Sequence, residues 1–189
     1  MTDWGITNCG ISEQFLAAAI CTAREAAEAE QVLATPGYYA IFIDDPCALP
    51  NPFQELLVER GTTRLIYIGL ATVSLYDRLV KQDLRHQQPS TFFRGIGCVL
   101  NYRPPPGSLV GNKNQNNYRF SANDTAKIVE WIDEQLSVSW IKAEPALETI
   151  EECLIRKYHP LMNTKHNPSA IPELADLRRE CRMIARAAK

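Results

Sequence analysis

Apolar positions recur along the chain in two rhythms, and the switches between them mark out the elements. Residues 12–34 place Phe15, Ala18, Ala19 and Cys21 on one face behind Ser12, a good N-cap, and ahead of Pro36-Gly37, which predicts an N-terminal helix. Tyr38 to Ile43 is an unbroken aromatic, alanine and β-branched run between Pro-Gly and Asp-Asp-Pro, which predicts a buried strand. Residues 64–70 predict a second strand able to pair antiparallel with it. The twenty residues between them, 44–63, hold Pro46, Pro50 and Pro52 and room for one helical turn at 53–58, long enough to suggest an insertion with its own role. Helical spacing returns after Gly69, with Leu75, Leu79 and Val80 facing inward and Arg78, Gln82, Arg85 and His86 on the other side. Residues 91–100 form a short helix or strand, and 101–119 a flexible surface loop rich in Pro, Gly and Asn. Ser121 and Asp124 resemble a capping box for a helix reaching 136. A third strand follows at 137–143, then a helix at 146–158 with Pro145 at its first position, and a last helix at 172–187 flanked by Arg178, Arg179, Arg182 and Arg186.

Composition adds constraints. With 46% hydrophobic and 22% charged residues in 189, the chain is expected to form one compact soluble domain, with no internal repeat and no linker. The apolar run Phe15–Cys21 is too short to span a membrane and lacks a basic leader, so the expected compartment is the cytoplasm and no membrane partner is expected. The six cysteines contain no Cys-x-x-Cys pair, and His86, His159 and His166 have no metal-ligand spacing; the thiols are expected to be free and mostly buried. A net charge of −2 argues against a nucleic-acid partner only if the chain is uniform. It is not. Residues 1–60 hold nine acids and two bases, 61–152 ten of each, and 153–189 three acids and eight bases.

One carboxylate stands out. Glu148, Glu152 and Arg156 follow at four-residue steps as a solvent stripe, but Glu151 has Leu147 four residues before it, Leu154 three after and Ile155 four after, at the edge of the apolar face. A carboxylate there is costly unless it is bonded, paired or bound to a metal, which leaves a structural salt bridge and a functional group as open readings.

Gly37-Tyr38-Tyr39 on the first strand, Tyr67-Ile68-Gly69 on the second, Leu75-x-x-Arg78-Leu79 on the next helix and Glu151-x-x-Leu154-Ile155 with Tyr158, Pro160 and Asn163 together resemble the GIY-YIG nuclease superfamily. Ser90-Thr91-Phe92-Phe93-Arg94, Tyr118-Arg119-Phe120-Ser121, His166-Asn167-Pro168 and Leu177-Arg178-Arg179-Glu180-Cys181 are further similar to a group of bacterial members. The resemblance implies an α/β (α+β) fold: a small three-stranded antiparallel sheet flanked by helices, with a nuclease core at 37–163, to which the residues add an N-terminal helix (1–35) and a basic C-terminal helix (170–189) within a single domain. It also implies hydrolysis of a DNA phosphodiester with one divalent ion, magnesium or manganese, held by Glu151. Arg78 would meet phosphate charge with a planar fork that stays ionised. Tyr39 and Tyr67 would activate water, although tyrosine is a poor base at its ordinary pKa of about 10 and must be tuned for the task.

Around these, Asn163 would support the site by hydrogen bonding, and His86 would contact phosphate or relay a proton. The missing side chain at Gly69 would let phosphate or an arginine approach the strand backbone. Leu70 stands where many relatives carry lysine, so Lys81, Arg85 or Lys113 is expected to replace that cationic contact, with Lys81 and Arg85 as substrate-binding residues. Tyr38 replaces an isoleucine and is expected only to pack. Two other readings stay open: a catalytically inactive nucleic-acid-binding protein of the same fold, and a purely structural domain. A dimer is one of the assemblies the sequence allows. The acidic N-terminal helix is expected to lie away from the cleft, with Arg78, Lys81, Arg85, the 101–119 loop and the C-terminal arginines forming an electropositive face.

Overall fold

An antiparallel sheet of four strands, in the order β1–β4–β2–β3, organises the computed structural model, which describes residues 20–28, 32, 34–59 and 64–187. The strands are β1 (Cys21–Thr22), β2 (Gly37–Ile43), β3 (Leu65–Ala71) and β4 (Leu136–Lys142). The helices are α1 (Ala23–Glu28), α2 (Phe53–Glu59), α3 (Thr91–Val99), α4 (Ala122–Gln135), α5 (Glu148–Tyr158) and α6 (Pro172–Arg186), with a π-helix at Tyr76–Leu84 between β3 and α3. The mixed α/β class and the small antiparallel sheet are as expected, with one strand more than the expected three.

The extra strand corrects the N-terminal helix expected at 12–34. Cys21 and Thr22 pair with Val138 and Ser137 instead, and Thr22 then begins α1 by exchanging hydrogen bonds with Glu25. Residues 12–19 lie outside the described part. The helix expected from Pro145 starts later, at Glu148 behind Leu147, because the Leu147 amide and carbonyl are bonded by the Tyr38 hydroxyl. The 101–119 segment is irregular, yet it is anchored rather than a loose surface loop: Leu109 and Tyr118 are buried, and the Leu109 amide donates to the Ala185 carbonyl at 2.9 Å. Of the five described cysteines, Cys98 and Cys181 are buried whereas Cys47 and Cys153 are exposed, against the expectation of mostly buried thiols.

The sheet carries an apolar layer on each face. The larger one joins Tyr39, Ile41 and Ile43 of β2 to the π-helix, α3, α4 and α6 through Leu79, Phe92, Phe93, Ile128 and Leu174. The smaller one places Tyr38, Ala40 and Ile68 against Leu154 and Ile155 of α5. Alternation along a strand therefore sends Tyr38 and Tyr39 to opposite sides.

β3 would otherwise present an open edge. The chain after α5 covers it: the Met162 amide donates to the Ile66 carbonyl at 2.7 Å, and the Asn163 side chain closes a two-way bond with the Ile68 backbone, Nδ2 to carbonyl and amide to Oδ1, both at 2.9 Å. Asn167 in turn donates to the carbonyls of Pro160 and Asn163. Asn163→Ala removes two bonds and strands two buried backbone groups. It is expected to cost about 2–3 kcal/mol in urea unfolding; a loss below about 0.5 kcal/mol would show that Asn163 does not clamp this edge.

Candidate active site

In the β2–β3 register Tyr39 lies directly opposite Gly69. Side chains so placed stand within about 5 Å of each other, and here the Tyr39 ring occupies the space over Gly69, where even a Cβ would collide with its tip. This corrects the substrate-binding role expected of Gly69: its bare backbone receives an aromatic ring, not phosphate. Tyr67, two residues before Gly69 on β3, packs with its ring tilted against its neighbours, at 6.3 Å from the Tyr39 centroid and 5.0 Å from that of Phe92.

The Tyr39 hydroxyl donates a short hydrogen bond to Asp83, a carboxylate with no exposed surface. Asp83 also accepts from Arg78 Nη1 at 2.8 Å and from Ser90 Oγ at 2.6 Å. Five residues separate Arg78 from Asp83. On a π-helix, whose bonds close at five-residue steps, that spacing returns to the same side, and the Arg85 amide bonds Val80 in this way. Gln82 Oε1 gives Arg78 a second acceptor at 3.1 Å. Burial works against the Arg78 charge, but Asp83 and the two tyrosines outweigh it and its pKa is raised, so the guanidinium stays ionised. Burial foremost, and then the Asp83 charge, push both Tyr39 and Tyr67 well above the ordinary phenol value, with Arg78 pulling the other way. Both are neutral phenols at physiological pH.

Glu151 reaches the site from α5. Its carboxylate is half-buried on the wall of a cavity of about 180 Å³ that Tyr67, Asn163, Lys165 and His166 also line. Burial raises its pKa; Arg78, Lys165 and a hydrogen bond from the Leu70 backbone draw it partly back. The Tyr38 hydroxyl fixes the start of that helix, donating to the Leu147 carbonyl at 3.1 Å and accepting from its amide at 2.7 Å. The residue expected only to pack therefore anchors the helix that carries Glu151. The neighbouring stripe forms as expected, with Arg156 bonded to Glu152 at 2.9 Å.

A half-buried carboxylate beside room for water suits a hard divalent cation, which accepts one or two protein carboxylates and keeps several waters. Among the described residues no cluster of three His, Cys, Asp or Glu side chains could hold a metal, and Glu151 is the acid among the described residues that line this cavity.

Three expected contacts are placed differently. His86 is not on the outer stripe of Arg78: it lies past the end of the π-helix with φ 50°, its ring stacks on Phe93 at 4.3 Å, and both ring nitrogens are buried without partners. Lys81 bonds Asp77 at 2.6 Å, and Arg85 pairs with Asp133 of α4 at 2.8 Å. The expected electropositive face is thereby narrowed, since Lys81 and Arg85 meet carboxylates of this chain. No residue of 20–28 lines the cavity of Glu151.

Asp83 is a component of the site that none of the sequence motifs marks. The same test that singled out Glu151 applies to it, for it stands four residues after Leu79 and three after Val80, on the apolar face.

A family model described as the GIY-YIG catalytic domain matches residues 37–180, well over half of the chain. The chain belongs to the GIY-YIG nuclease superfamily, whose domain acts on nucleic acid. Comparison with curated proteins and with solved structures gives no match. Among the described residues no helix is long and apolar enough to cross a membrane.

The buried ring of His86 has a pH signature. Burial, then the charges of Arg94 and Arg119, push its pKa down from 6.5 to about 4. The unfolded chain therefore takes up the proton first, and the stability associated with the neutral ring, complete above pH 6.5, is lost as pH falls towards 4. His86→Phe is expected to show a smaller drop in Tm between pH 7 and pH 5 than the unsubstituted protein. Equal drops would mean that the ring is not held neutral.

Proposed function

We propose that the chain is a divalent-metal-dependent DNA endonuclease that hydrolyses phosphodiester bonds in the cavity bounded by Tyr67, Glu151 and Asn163. The observation that carries this reading is the meeting of Tyr67 and Glu151 on one cavity wall, with the charge of Arg78 secured by Asp83 and acting on both. Glu151 would hold magnesium or manganese, and a bound ion would supply positive charge against the phosphoryl oxygens and ease ionisation of water.

The chain's own groups divide the remaining work. Arg78 presents a guanidinium that stays ionised to the oxygens of the phosphate under attack, where charge accumulates as the water oxygen bonds to phosphorus, its proton passing to solvent, and the bond to the leaving oxygen breaks, that oxygen taking a proton from solvent. The Tyr67 oxygen accepts a hydrogen bond from the attacking water and orients it; as a neutral phenol it positions rather than deprotonates. The Tyr39 hydroxyl is committed to Asp83, so Tyr39 acts by fixing Asp83 and, through it, Arg78. Asn163 holds the Ile68 backbone between Tyr67 and Gly69, which keeps the phenol aimed at the cavity.

Supercoiled plasmid incubated with the full chain and 5 to 10 mM (order of magnitude) magnesium or manganese tests the reading. The plasmid is expected to be nicked or linearised by the unsubstituted protein, and at least about a hundredfold more slowly by Glu151→Ala and Arg78→Ala. Plasmid binding without cleavage in either metal would overturn the nuclease and favour a binding protein of the same fold.

A further inference from the structure

α3 and α6 enclose a second cavity, of about 360 Å³, beside the one that holds Glu151. Thr91 and Thr164 line both, so the two share a wall. Among the described residues, the charged ones lining this second cavity are Arg94, Arg178 and Arg182, and no carboxylate lines it. Three guanidiniums from two packed helices repel one another, and packing would relieve that only if an acid or an anion stood between them.

Its donors are built in and left open. Arg94 sits on α3 at 9% exposure with its guanidinium 5.7 Å from the centre of the Tyr118 ring, and its Nη1 is buried without a partner. Arg178 crosses from α6 to bond the Thr91 carbonyl and Thr164 Oγ1, each at 3.3 Å, while its Nε is likewise buried and unpartnered. Gly95 makes this crossing possible, since a Cβ there would press on the Arg178 guanidinium. Asp83, the acid whose charge reaches Arg94, is already bonded by Arg78, Tyr39 and Ser90. Burial lowers the pKa of both Arg94 and Arg178, and each also feels the other or Arg182 as a like charge. Buried N–H donors without acceptors are rare, and each is open to an acceptor from water or an anion. Planar guanidiniums with free N–H groups select tetrahedral oxyanions, phosphate above all.

We infer that the Arg94–Arg178–Arg182 cavity is a phosphate-binding subsite that holds a second phosphate of the same strand while another lies at Glu151. The inference rests on the nuclease reading for the identity of the strand, but the anion site itself is carried by the arginines. The phosphate could belong to an internal phosphodiester or to a strand end; the chemistry is shared.

The test uses the full chain and two probes. Inorganic phosphate is expected to raise the Tm of the unsubstituted protein and of Arg78→Ala saturably, and to leave Arg178→Gln unshifted relative to equal ionic strength in chloride. Arg182→Gln, at a half-buried lining residue, provides a second variant should Arg178→Gln fold poorly, and is expected to weaken the phosphate shift. Metal-free binding of a short DNA duplex is expected to lose about one unit of slope in log Kd against log salt in each variant. Tighter binding of 5′-phosphorylated than of 5′-hydroxyl duplex by the unsubstituted protein would assign the site to a strand end; equal binding with the slope change would assign it to an internal phosphate. Equal phosphate shifts in unsubstituted and variant proteins, or unchanged salt slopes, would overturn the subsite. A phosphate shift abolished by Arg178→Gln in a protein that cuts no plasmid would leave the anion site standing and remove the nuclease reading instead.

Discussion

The candidate site depends on a single buried carboxylate. Asp83 has no exposed surface, so its charge is tolerable only because the Tyr39 hydroxyl, the Ser90 hydroxyl and the Arg78 guanidinium all donate to it. The dependence runs both ways. Without Asp83 the Arg78 fork would keep Gln82 as an acceptor but lose its ion pair, and Ser90, which also caps α3 by accepting from the Phe93 amide, would lose its second contact. The wide turn of the π-helix is what makes this possible, because five-residue spacing brings Arg78 and Asp83 to one side of the same segment.

Around that centre the backbone is arranged by exclusion as much as by attraction. The Tyr39 ring can reach Asp83 because it passes over Gly69, where no side chain obstructs it, and the strand bearing Gly69 stays in place because Asn163 closes its edge. On the far side of the sheet Tyr38 does for α5 what Tyr39 does for the π-helix, each using a hydroxyl to hold the helix that presents a charged residue. Adjacent tyrosines on one strand thus position Glu151 from one face and Arg78 from the other.

Much of this was legible in the sequence. Strands 38–43 and 64–70, the Ser121 cap and the Glu152–Arg156 pair follow from local pattern and spacing, Glu151 was visible as a carboxylate on an apolar edge, and a hydrogen-bonding role for Asn163 came with the family resemblance. What was not legible depends on tertiary partners. Helical periodicity at 3.6 put His86 on the stripe of Arg78, but the π-helix shifts that phase and turns the ring onto Phe93. Gly69 reads as an opening in the strand, and nothing local says that Tyr39 fills it. Cys21 and Thr22 sit in an alanine-rich helical context, and only β4 makes them a strand. Lys81 and Arg85 look free until Asp77 and Asp133 are placed beside them. Charge followed the same course: the modest net −2 concealed a basic end of the chain, and the fold brings two of its bases, Arg178 and Arg182, to one cavity with Arg94 and a third, Lys165, to the cavity of Glu151.

The most direct test is a double-mutant cycle between Arg78 and Asp83, measured by urea unfolding of Arg78→Gln, Asp83→Asn and the double variant. If the carboxylate holds the arginine as described, the two substitutions are coupled by about 1–3 kcal/mol, the double variant being less destabilised than the sum of the singles. Additive losses, with a coupling within about 0.3 kcal/mol of zero, would contradict it.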